Sequence, residues 1–190
     1  MGQTSSAVSS SDAHTTNINK TMMEMDYKKA KSVAFTGHRR IPFEKLTSLR
    51  DAVKTKVKLL YAMGITDYYC GIAIGFDLLA AEGVLSLKTT LPKLRLVAVV
   101  PYRGQSDAWS KIEQERHAAV LAKADEVIVL SERYFKGCLL RRNDFMLSHV
   151  CGVVAFFDGK PKGGTFYTCR EARRKHLDII NLYHPQTSKL

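Results

Sequence analysis

The sequence predicts an α/β fold: a Rossmann-like, doubly wound parallel sheet of about six strands with helices on both faces, in three α/β/α layers. Three observations carry that prediction. From Lys31 onward, short β-branched or aromatic runs alternate with longer amphipathic ones, which is the beat of βαβ units with right-handed crossovers. Several of the short runs are almost continuously apolar, as strands are when helices cover both faces of their sheet. Polar and glycine-rich segments follow the strands at their carboxyl ends, the edge where open parallel sheets bind ligands.

The strand candidates are Ser32–Thr36, Thr66–Gly71, Leu94–Val100, Glu126–Leu130, Gly152–Phe157 and Leu177–Leu182. Between them lie helix candidates. In Phe43–Met63, Leu46, Leu49, Val53, Val57 and Leu60 recur at three- and four-residue spacing, and Gly64 supplies a stop. Lysines 45, 54, 56 and 58 mark the other, solvated face of that helix. Phe76–Lys88, Ala108–Lys123, Leu139–Val150 and Thr165–His176 complete the set. Residues 1–26, rich in Ser, Thr and Asn, read as a disordered lead, because so few large apolar groups cannot offset the entropy of ordering. Residues 27–185 then form one domain, with residues 186–190 as a tail.

A chain of 190 residues with 45% hydrophobic residues can bury a core without staples. Its 29 Lys and Arg against 18 Asp and Glu leave a net charge of +11, which favours anionic partners without choosing among nucleotides, nucleic acid and acidic surfaces. Cys70, Cys138, Cys151 and Cys169 form no CxxC pair, which argues against a disulfide framework or a zinc site. Cys70 and Cys151 sit in apolar runs and read as buried thiols of a reducing compartment. No apolar run is long enough to span a bilayer and no secretory pattern opens the chain, so the expected location is the cytoplasm, away from membranes.

The chemistry-bearing segments can be taken strand by strand. After the first comes Thr36-Gly37-His38-Arg39-Arg40: glycine admits a phosphate close to the backbone, and an arginine can pair with its oxygens. An ordinary βα turn with solvated arginines is the plainer reading. After the second, Gly71 and Gly75 frame a strand-to-helix junction, and Asp77 is placed to cap the helix or bind a hydroxyl. After the third, Pro101, Tyr102 and Gln105 precede Trp109. These can stack on a base and read its edge, although Trp109 fits a packing anchor slightly better. Ser131-Glu132-Arg133-Tyr134 and Arg141-Arg142-Asn143 either embrace a ligand or form a basic surface.

After the fifth strand comes Asp158-Gly159-Lys160-Pro161-Lys162-Gly163-Gly164-Thr165, opening a helix. This is the strongest local signal: paired glycines expose N–H groups, Thr165 reads as a cap, and the helix dipole favours an anion. A lysine-rich turn is the alternative. Walker A and GxGxxG patterns are absent, as are HExxH metal spacing and a nucleophile elbow, so no metal and no required cofactor are expected.

Taken together, Thr36-Gly37-His38-Arg39, Gly71-Ile72-Ala73-Ile74-Gly75-Phe76-Asp77, Pro101-Tyr102 with Gln105 and Trp109, Arg142-Asn143 with Met146, and Gly163-Gly164-Thr165 resemble the YpsA-like branch of the SLOG superfamily. That superfamily joins SMF/DprA DNA-processing proteins with the LOG enzymes. The resemblance runs from about Ser32 to Tyr183. It implies a Rossmann-like fold with a pocket for nucleotides or derivatives such as NAD or ADP-ribose. It carries over Gly37, Gly75, Asp77, Gly163, Gly164 and Thr165 as pocket residues, with Arg142 and Asn143 near the mouth. A sensor or binding protein is the first expectation. A LOG-like nucleotide N-glycosidase or phosphoribohydrolase is the alternative, and DprA-like nucleic-acid binding the second alternative. LOG enzymes carry PGGxGTxxE, whereas here no acid follows Thr165 until Glu171. Asp77 or Glu82 would have to supply the carboxylate that stabilises an oxocarbenium-like transition state. The resemblance also allows a homodimer.

Overall fold

A computed structural model of the chain describes residues 21–183. Most of the expected lead, residues 1–20, and the tail, residues 186–190, lie outside the described residues. Six strands form one wholly parallel sheet in the order β4-β3-β2-β1-β5-β6. They are β1 (Ser32–Gly37), β2 (Asp67–Cys70), β3 (Arg95–Val100), β4 (Glu126–Val129), β5 (Gly152–Phe156) and β6 (Asp178–Asn181). Each lies within about a residue of its expected span.

Helices alternate with them: α2 (Leu46–Ala62, after a 3₁₀ turn at Phe43–Lys45), α3 (Phe76–Leu87), α4 (Lys111–Lys123), α5 (Cys138–Ser148) and α6 (Gly163–Arg174). One further helix, α1, covers residues 21–30, where the sequence reading puts unstructured lead up to residue 26. That expectation needs correcting. Met22, Met23 and Met25 are good helix formers, and Lys28 and Lys29 suit the negative end of the helix dipole. Helix α4 also starts later than Ala108, because Ser110 caps it by accepting from the Glu113 N–H at 3.4 Å, while its hydroxyl donates to Glu113 Oε2 at 3.0 Å.

The apolar stripe of α2 (Leu49, Val53, Val57 and Leu60) is buried as its spacing predicts. With α3 and α4 it covers one face of the sheet in a core that includes Phe35, Tyr68 and Phe76. Helices α5 and α6 pack together on the opposite face, around Tyr69, Met146 and Leu147. Cys70, Cys138 and Cys169 are buried, while Cys151 is only half-buried, a departure from its apolar run. No described helix is long and apolar enough to cross a membrane.

The topology decides where a ligand can enter. The chain adds β2, β3 and β4 to one side of β1, then crosses back to lay β5 on its other side. At that reversal the βα loops of β1 and β5 diverge to opposite faces and leave a crevice at the carboxyl edge.

Candidate functional site at the strand-order reversal

A cavity of about 500 Å³ occupies that crevice. The end of β1 supplies Thr36, Gly37, His38 and Arg39, α3 supplies Asp77, α5 supplies Arg142, Asn143 and Met146, and α6 supplies Gly163, Gly164 and Thr165. Four separate segments of sequence therefore meet at one place.

The first turn of α6 faces this space. Its N-cap is Lys162, extended at φ −150° and ψ 153°, and no side chain caps the helix. Thr165 is thus not the expected cap; it sits three positions further in, buried, in the cavity wall. Gly163 has φ +82°, which glycine tolerates and other residues rarely do. Adding a Cβ to Gly164, by contrast, would meet only ordinary contact, with Asn143 Nδ2 at 3.9 Å. The uncapped N–H groups of this first turn and the positive end of the helix dipole therefore face the cavity.

Behind it runs a buried polar chain. The Arg142 Nε–H donates to Asn143 Oδ1 at 2.8 Å, Asn143 Nδ2 donates to the Thr168 hydroxyl at 2.8 Å, and Thr168 donates to the Gly164 carbonyl at 2.9 Å. The arginine is thereby tied to the backbone of that turn. Its side chain is 8% exposed, and its Nη1 lies 4.0 Å from Asp77 Oδ2, itself 7% exposed. Among the described residues Nε makes the guanidinium's hydrogen bond and Nη1 has none. Gly71 makes room for this group, since a Cβ there would fall 1.5 Å from Arg142 Nη1.

Burial pushes the Asp77 carboxyl up to about 6, with Arg142, a backbone hydrogen bond from Ala73 and Arg39 pulling the other way. Burial likewise lowers the affinity of Arg142 for its proton. Asp77 does not cap α3, whose N-cap is Gly75 with no side-chain bond. It is the carboxylate in the cavity wall among the described residues.

A ridge closes one side. The His38 N–H donates to the Phe156 carbonyl at 3.2 Å, the Asp158 N–H donates to His38 Nε2 at 2.9 Å, and the Phe76 N–H donates to the His38 carbonyl at 3.1 Å. Gly75, at φ +90°, lets that close approach happen: a Cβ on it would lie 2.3 Å from the Arg39 carbonyl oxygen. With His38 pinned on three sides, Arg39 projects from a fixed backbone. Its side chain is exposed and has no ion-pair partner among the described residues.

The family model YpsA, described as the YspA SLOG family, matches residues 33–183. The chain belongs to that family. The UPF0398 protein of Shouchella clausii is 36% identical over 103 residues, 53% of this chain and 55% of that protein. UPF0398 protein YpsA of Bacillus subtilis is 26% identical over 165 residues, 80% of this chain and 91% of that one. Among solved structures, DNA processing protein A (DprA) of Streptococcus pneumoniae aligns with a TM-score of 0.61 at 19% identity, over 86% of this chain and 54% of its own. DprA of Helicobacter pylori aligns at 0.59 and 18% identity, over 86% and 70%. These structural likenesses establish the fold.

Within this SLOG domain the remaining site expectations divide. Thr36, Gly37, His38, Arg39, Asp77, Arg142, Asn143, Gly163, Gly164 and Thr165 come together around the cavity. Gly71 and Gly75 serve it from behind by the close approaches described. Pro101, Tyr102, Gln105 and Trp109 lie outside the cavity wall. Gln105 donates to the Gly71 carbonyl at 3.2 Å, and Trp109 packs edge-on against His117 at 5.2 Å beside the core. Glu82 is engaged by Arg116 at 2.7 and 3.0 Å on α4, away from the cavity. Glu171 pairs with Arg174 at 2.8 Å and does not reach it either. The sequence reading missed Lys162, Gly137, Cys138 and Leu140, and left Tyr134 undecided. Tyr134 is 64% exposed at the cavity mouth, with Tyr102 behind it edge-on at 5.3 Å.

Proposed function

We propose that the cavity binds a nucleotide or nucleotide-derived ligand through its phosphate, as a binding or sensing protein. The supporting observation is the uncapped α6 turn opening beside a buried arginine whose Nη1 lacks an acceptor. An anion on the Gly163–Thr165 amides would complete both. Arg39 would close over the phosphate from the ridge. Asp77 would accept a ribose hydroxyl when ionised, and Tyr134 replaces Tyr102 and Trp109 as the aromatic nearest to the base.

A second reading is nucleic-acid binding. The Helicobacter pylori DprA structure was described for its single-stranded DNA binding mode, and the net charge of +11 suits a phosphate backbone. A hydrolytic role would fall to Asp77, whose buried carboxyl near pKa 6 is poised for proton transfer at neutral pH. A thermal-shift screen of NAD, ADP-ribose and cyclic and linear nucleotides, with chromatography for released base, separates these outcomes. A ligand at ~100 times its dissociation constant stabilises the fold by about 2.7 kcal/mol. The expected result is a shift with the ligand intact; base release would make the protein a hydrolase. Absence of any nucleotide shift, with salt-sensitive retention of a single strand, would move the function to nucleic acid.

A further inference from the structure

A second hollow of about 440 Å³ lies on the far side of the Arg39 ridge. His38, Arg39, Arg40, Pro42, Asp158 and Tyr183 line it. Arg39 and His38 thus belong to both hollows, and the ridge they form is the boundary between them. The chemistry of the second hollow resembles that of the first in charge and differs in its aromatic wall. Arg40 is exposed, and like Arg39 it has no ion-pair partner among the described residues. Tyr183 stands 5.1 Å from Phe156 and has Lys45 Nζ 4.6 Å above its ring. The acid in this hollow, Asp158, is already paired with Lys160 at 3.5 Å. A backbone hydrogen bond from Lys160 holds its carboxyl below the usual range, so it stays ionised within that pair.

Unpaired arginines beside a half-buried tyrosine offer what a phosphate-linked base requires: cations for the linkage and a ring edge for the base. We infer that the second hollow holds a second nucleotide unit, joined through phosphate to the unit in the first cavity, with Arg39 clamping the linkage between them. This rests on the nucleotide reading of the first cavity. The ridge is rigid, being pinned to β5 and α3 by the three hydrogen bonds at His38 and Asp158, so the two hollows keep a fixed relation. A ligand that bridges it is selected by length. A dinucleotide and a short single strand share this chemistry and differ in whether units beyond the second add affinity.

The test is calorimetric titration of the full chain with AMP, with a 5′-phosphorylated adenylate dinucleotide and with a short single-stranded adenylate oligomer. The dinucleotide should bind roughly tenfold or more tightly than AMP, the gain of one stacked base and one phosphate contact. Arg40→Glu should abolish that gain and leave AMP affinity as it was, and Tyr183→Ala should reduce it. Arg40 is exposed, so its substitution does not endanger folding. An oligomer equal to the dinucleotide assigns the groove to dinucleotides, and a further gain with length assigns it to a single strand. Equal affinity for AMP and dinucleotide, or a gain that survives Arg40→Glu, overturns the inference while the first cavity stands. Binding of none of the three overturns both.

Discussion

Two stretches of the carboxyl edge look alike as sequence and differ as structure. The loops after β1 and β5, taken together, and the loop after β3 each carry glycine, arginine and an amide or hydroxyl. Around β3 the loop's Arg103, Gln105 Nε2 and Trp109 ring are engaged within the protein, while Gln105 Oε1 keeps no partner. Arg103 forms a two-point ion pair with Glu132 at 2.8 and 3.0 Å, Gln105 donates to Gly71, and Trp109 leans on His117. Around β1 and β5 such groups are left over: α6 is uncapped, Arg39 is unpaired, and Arg142 keeps Nη1 without an acceptor. Composition locates polar loops, and the proposed phosphate site rests on where donors are left over.

That contrast can be broken at either end. The largest effect should come from Arg142→Ala, which strips Asp77 of its buried counter-charge and opens space above Gly71. Loss of about 3–5 kcal/mol is expected in urea unfolding, together with loss of nucleotide affinity. Trp109→Ala on the β3 side should cost about 2–4 kcal/mol through lost packing. Nucleotide affinity, measured at a temperature where the variant is folded, should stay unchanged. A tenfold fall in affinity for this variant would mean that the β3 loop contributes to the site after all.

The next effect is smaller and depends on pH. Asp77 is raised from 3.8 to about 6 in the folded protein, so the folded state binds its proton more tightly than the unfolded chain does. Its contribution is most favourable below the unfolded value and falls as pH rises through about 6. Between pH 7 and pH 5, wild type should therefore gain about 1–1.5 kcal/mol over Asp77→Asn. A stability gap that is flat across this window would place the Asp77 titration elsewhere.

Much of the fold was legible because its signals are local. Apolar β-branched runs such as Leu96–Val100 and Val153–Phe156 mark strands wherever they occur, and the stripe of α2 declares its buried face. Helix ends were less so: the Ser110–Glu113 cap was overlooked, and the α6 start was displaced onto Thr165. In the site, Gly163 and Gly164 were readable because glycine pairs before a helix have a local meaning. The role of Gly71 was not, because it consists of leaving room for Arg142, a residue far along the chain. Nor could the sequence distinguish Trp109 from Tyr134. Which aromatic faces a cavity is settled by packing between elements, not by the residues beside it.

The most direct test of the phosphate site uses Gly164→Asp, a position where a side chain meets only ordinary contact and an added carboxylate would occupy the anion's place on α6. Thermal unfolding of wild type and variant should be followed with and without the ligand found in the screen. The account predicts that the variant unliganded stays within about 1 kcal/mol of wild type while its ligand-induced shift disappears. A shift that persists undiminished in Gly164→Asp would contradict the assignment of the phosphate to the α6 turn.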